Sequence, residues 1–147
     1  MVLRGRGGRR VVEELSAEYL ARKRVLIVED QEVIRQIVWK MLKDIGFGNI
    51  VEVGDGSQAM REVLATKPDL IICDIAMEPV DGFKFVEALQ ARGFKDRDRI
   101  LTIFLTGHTE REMVIKAKQL GADGFLVKPV SAKDLKARIT FAMNHVD

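Results

Sequence analysis

Apolar residues in this chain gather into short dense runs separated by amphipathic stretches. The runs at 24–28 (RVLIV), 50–53 (IVEV), 70–73 (LIIC), 100–105 (ILTIFL) and 124–127 (GFLV) have the length and β-branched content of strands. Between them apolar positions recur at helical spacing. That predicts one helix running to about Ile45, then helices near 57–66, 83–92 and 110–120, and a last one to about His145 with Ser131 as its N-cap. Gly46, Gly93 and Gly121 stand where the first, third and fourth should end. Strand and helix thus alternate five times. Continuous apolar strands suit a parallel sheet covered on both faces, and right-handed crossovers make it a doubly wound α/β fold. On the first helix Ile34, Ile37, Val38, Met41 and Ile45 form the inward stripe. Trp39 falls off it and is expected to pack under an N-terminal helix, against Leu15 or Tyr19; contact with a partner is the other use for it.

The leader reads differently. Residues 1–10 (MVLRGRGGRR) suggest a Gly/Arg-rich tail. Residues 11–22 suggest a short amphipathic helix with Val11, Val12, Leu15, Tyr19 and Leu20 near one face. We therefore expect a basic extension over 1–23 and one folded domain over 24–147. The leader changes how charge is read: residues 1–24 carry a net +4 and the remainder −2, so the high pI says little about the domain. With no basic face on the folded part, a nucleic-acid role is not expected.

Composition narrows the class. The chain has 147 residues, 47% hydrophobic and 31% charged, which fits one globular domain with a proper core. No apolar run approaches the roughly 20 residues that span a bilayer, and no secretory h-region is visible. Cys73 is the only cysteine, so a disulfide framework and a thiolate zinc site are excluded and a reducing cytoplasm is expected. The last strand and helix end the pattern, and no second domain is expected.

In such sheets ligands bind beyond the C-terminal ends of the strands. There the first strand ends in Glu29-Asp30, the third in Asp74, the fourth in Thr106 and the fifth in Lys128-Pro129. Three carboxylates meeting at one rim call for a cation. Oxygen ligands without His or Cys favour Mg²⁺. A carboxylate can attack phosphorus, an ammonium can neutralise phosphoryl charge, and a hydroxyl can donate to a phosphoryl oxygen.

The segments V-E-D at 28–30, D-I-A-M-E-P-V-D-G at 74–82, L-T-G at 105–107 and G-F-L-V-K-P at 124–129 resemble the receiver domain of two-component response regulators, most closely the single-domain chemotaxis type. The resemblance covers about residues 24–146. It implies a flavodoxin-like (βα)5 sheet in strand order 2-1-3-4-5. It also implies a phosphorylation-dependent switch in a phosphorelay, a signalling protein rather than an enzyme. By resemblance, Asp74 accepts the phosphoryl group from a histidine kinase or histidine phosphotransfer protein. Asp30 and Asp74 ligate Mg²⁺ with the backbone carbonyl of Ala76, and Glu29 acts through water. Thr106 and Lys128 hold the phosphoryl group. Thr106 and Phe125 form the switch, and a cis peptide precedes Pro129. Ala76 and His108 flank the site and tune dephosphorylation. A downstream protein would meet the face made by helix 4, strand 5 and helix 5, in the cytoplasm and without membrane insertion.

Two features depart from the family pattern. Pro79 stands one position later than usual, and Phe125 replaces a frequent tyrosine. The other functions weighed are a constitutive receiver-fold scaffold and an aspartyl-nucleophile phosphatase. Against the latter, the first strand ends Glu-Asp rather than D-x-D and no cap insertion is present.

Overall fold

The structure is a computed structural model. It describes residues 3–4, 10–11, 16–107 and 110–144, with side chains from residue 16 onward. The elements are β1 (Leu3–Arg4), β2 (Arg10–Val11), α1 (Ala17–Ala21), β3 (Arg24–Val28), α2 (Glu32–Ile45), β4 (Asn49–Val53), α3 (Gly56–Thr66), β5 (Leu70–Asp74), α4 (Gly82–Ala91), β6 (Leu101–Thr106), α5 (Arg111–Gln119), β7 (Gly124–Val127) and α6 (Ala132–Asn144).

Strands β3 to β7 form one parallel sheet in the order β4-β3-β5-β6-β7, which is the 2-1-3-4-5 order of the expected fold. Side chains alternate across it, as strand geometry requires. Val25, Ile27, Leu70, Ile72, Ile103 and Leu105 face the layer containing α2 and α6, while Leu26, Val28, Ile71, Cys73 and Phe104 face α3, α4 and α5. With both faces covered the three central strands are buried along almost their whole length, and this is why they read as unbroken apolar runs. Cys73 is one of these buried apolar positions, as expected.

Helix ends follow local chemistry. Asp55 and Asp81 cap α3 and α4 by accepting from the N–H of Gln58 and Lys84, each at 2.8 Å. Ser131 caps α6 by accepting from the Asp134 N–H at 3.1 Å. Gly46 ends α2 at φ +124°, a conformation L side chains resist.

The leader departs from expectation. Val11 lies in β2, paired antiparallel with Leu3 of β1, and the helix is confined to Ala17–Ala21. Ser16 sets its start by accepting from the Tyr19 N–H at 3.2 Å. Residues 12–15, Leu15 among them, lie outside the described residues. Leu20 enters the main core cluster beside Val25, Leu42 and Phe47. The α2 stripe also needs correction: Ile37 is 48% exposed, whereas Leu42 is fully buried. Trp39 is half-buried against the cluster that holds Leu20, with Tyr19 packed on the same cluster. No helix among the described residues is long and apolar enough to cross a membrane.

Candidate phosphoryl-acceptor site

The sheet's hydrogen bonding runs one residue past the strand ends and fixes the rim. The Glu29 N–H donates to the Val53 carbonyl at 3.1 Å, Ile75 to Leu105 at 3.1 Å, and Lys128 to Thr106 at 2.7 Å. Glu29, Asp74, Thr106 and Lys128 are therefore placed by backbone pairing. Glu29 is 0% exposed, Asp74 3% and Thr106 1%. Asp30 is exposed beside them.

The Lys128 ammonium reaches both buried acids, donating to Glu29 Oε1 at 2.5 Å and lying 3.1 Å from Asp74 Oδ1. Burial works to lower its pKa. The hydrogen bond to Glu29 and the charge of Asp74 outweigh that and hold it above the usual lysine value. The second Glu29 oxygen accepts from the Gln31 N–H at 3.3 Å. Carboxylate oxygens of Glu29, Asp30 and Asp74 lie within 4.8 Å of one another. Partial burial, then the hydrogen bond and charge of Glu29, raise the Asp30 pKa. Three acids face one ammonium, and all the donors are hard oxygens. This set fits a small divalent cation such as Mg²⁺.

The β5–α4 loop closes the site from the other side. The Gly82 N–H donates to the Ile75 carbonyl at 2.8 Å, and a Cβ at Gly82 would collide with the carbonyl of Asp74. The Lys128–Pro129 peptide is cis, as anticipated. Glu78–Pro79 is cis as well, which the sequence did not disclose. Ala76 is exposed in this loop, and Phe125 is half-buried against the cluster containing Phe104 and Ala117. His108 lies outside the described residues.

Sequence reasoning missed Arg35. Its Nη1 donates to the Glu29 carbonyl at 2.9 Å. Only its spacing, six residues after Glu29 and one turn into α2, could have signalled this. A groove of about 980 Å³ lies at the far end of the sheet between Lys67–Asp69 and Arg92–Leu101 and touches none of these residues.

The model of the response regulator receiver domain matches residues 25–140. The chain belongs to this family. Among receiver relatives, the transcriptional regulatory protein PdtaR of Mycobacterium tuberculosis is 36% identical over 123 residues, covering 83% of this chain. This chain spans only 57% of that protein's length. A probable chemotaxis protein CheY of Rhizobium etli is 34% identical, with 79% of this chain and 88% of the relative covered. The solved structure of Vibrio cholerae chemotaxis protein CheY4 superposes with a TM-score of 0.72 at 32% identity, covering 80% of this receiver and 95% of that chain. The sheet order and the two-sided helical cover are thus those of a receiver domain of two-component signalling.

Proposed function

We propose that this receiver is a phosphorylation-dependent switch that takes a phosphoryl group onto Asp74 from a phosphohistidine donor. The observation carrying this reading is the Asp74 carboxylate held 3.1 Å from the Lys128 ammonium, with two further acids beside it. In the transfer, an Asp74 oxygen forms the bond to phosphorus while the phosphorus–nitrogen bond of the donor breaks and the imidazole takes up a proton. Asp30, Asp74 and the Ala76 carbonyl would hold Mg²⁺, with Glu29 acting through water, and the ion would neutralise the phosphoryl oxygens. Lys128 exchanges its carboxylate contacts for a phosphoryl oxygen, and the Thr106 hydroxyl donates to another.

Phosphorylation adds close to two negative charges and biases an equilibrium between two arrangements. Thr106 and Phe125 carry the change toward the face of α5, β7 and α6, where a downstream protein docks. Ala76 leaves room for attacking water, and His108 adjusts its access. The donor is a histidine kinase or histidine phosphotransfer protein in the cytoplasm. Self-phosphorylation and self-dephosphorylation are the only chemistry assigned. Residues 24–147 form the receiver and 1–23 its extension.

Acetyl phosphate with Mg²⁺ should label the protein, and Asp74→Asn should abolish labelling. Labelling that survives in Asp74→Asn overturns the assignment.

A further inference from the structure

The geometry points to Arg35 as a positioning residue that aims the acid pair at the cation, with Glu52 as its anchor. This rests on the proposed Mg²⁺-dependent reading of the rim. Arg35 lies on α2 and reaches back over the β3–α2 loop. Its Nη1 donates at 2.9 Å to the Glu29 carbonyl, which belongs to the peptide joining Glu29 to Asp30. Because that peptide is planar, fixing its oxygen fixes the plane from which Asp30 departs. The other backbone group of Glu29 is also tied, its N–H donating to Val53 at 3.1 Å. Glu52, one residue before Val53 on β4, lies 3.4 Å from Arg35 Nε. The Nε is buried and makes no hydrogen bond of its own, so Glu52 offsets its charge.

A closed circuit results: β4 to Glu29, Glu29 to Arg35, and Arg35 back to β4. Asp30 is exposed, and its side chain hydrogen-bonds to that of Glu29. The direction in which Asp30 leaves the backbone is set by the peptide that Arg35 pins. The guanidinium holds a carbonyl rather than an acid of the rim, so it adds order without competing for the carboxylate oxygens. The side chain is only 21% exposed, which limits its freedom to wander.

The test measures Mg²⁺ affinity by calorimetry on the folded chain, alongside acetyl phosphate labelling across a Mg²⁺ series and urea stability without metal. Arg35→Ala should weaken Mg²⁺ binding about 10-fold, in the range seen when a residue supporting a metal ligand is lost. Its labelling rate at saturating Mg²⁺ should fall much less than its rate at low Mg²⁺. Arg35→Lys keeps a donor for the Glu29 carbonyl and should recover most of the affinity. Glu52→Gln should weaken Mg²⁺ binding in the same direction by a smaller factor. Wild-type Mg²⁺ affinity in Arg35→Ala, with only urea stability reduced, overturns the inference. If Arg35→Ala does not fold, Glu52→Gln decides, and wild-type affinity there overturns it. Failure of the wild type to label would count against the phosphoryl reading alone, because the calorimetry stands without it.

Discussion

At the scale of single residues, the site depends on close approach as much as on charge. Gly82 sits against the carbonyl of Asp74, where a methyl group has no room because the obstructing atom is backbone. Gly82→Ala should therefore push the β5 end away from Lys128. The expected outcome is at least a 10-fold slower labelling of Asp74, with a loss of about 1–3 kcal/mol in urea stability from overpacking. Unchanged labelling kinetics would show that the loop yields without moving the acid. The acids, Thr106 and Lys128 were legible in the sequence because each stands directly after an apolar run. Arg35 was not, because its partner is a backbone carbonyl across a loop and no side-chain pattern marks that. Ile37 and Trp39 show a subtler limit. At about 100° per residue they lie on opposite shoulders of the Val38 direction. Helical spacing cannot say which shoulder is covered. The neighbours decide, and they cover Trp39.

At the scale of elements, α1 behaves as part of the folded body. Leu20 is 5% exposed in the main core cluster, and Gly48 has no room for a side chain beneath the Ala21 carbonyl. Leu20→Ala should cost about 2–4 kcal/mol in urea unfolding, the usual range for a buried leucine with an incompletely relaxed cavity. A loss under 0.5 kcal/mol would mean that α1 lies loosely on the receiver. The five strands and their helices were readable because both periods and the stop glycines agree. The start of α1 was not, since apolar residues near one helical face occur on either side of Ser16, and the cap selects the later start. A second tie links the loop before β6 to the loop before β7. Asp123 accepts twice from Arg99, at 2.5 and 2.9 Å, and once from the Thr102 N–H at 2.9 Å. Asp123→Ala leaves that backbone donor unpaired and should cost about 1–2 kcal/mol. Arg99→Ala should cost less, because its side chain is 41% exposed and solvent screens the pair. Equal losses in the two variants would assign the effect to the ion pair instead.

At the scale of the whole molecule, the Asp30 carboxylate opposes folding until something neutralises it. The raised Asp30 pKa states this directly: the folded chain holds that proton more tightly than the unfolded chain does. Its favourable contribution is present below the unfolded carboxyl pKa and is lost as pH rises through the folded value. At neutral pH without metal, Asp30 is therefore a mild liability, and Asp30→Asn should raise the melting temperature. Mg²⁺ bound among the three acids would reverse the sign. A ligand that binds only the folded state stabilises it by about 2.7 kcal/mol at 100 times its dissociation constant. The wild type should gain that stability on adding Mg²⁺ and return to its starting value with chelator, whereas Asp30→Asn should gain little. The crossing of the two variants, mutant more stable without Mg²⁺ and wild type more stable with it, is the expected signature. If the wild type melts at the same temperature with and without millimolar Mg²⁺, the three acids are balanced by Lys128 alone. The 2.5 Å Glu29–Lys128 contact would then describe the working state of the site rather than a state that yields to metal.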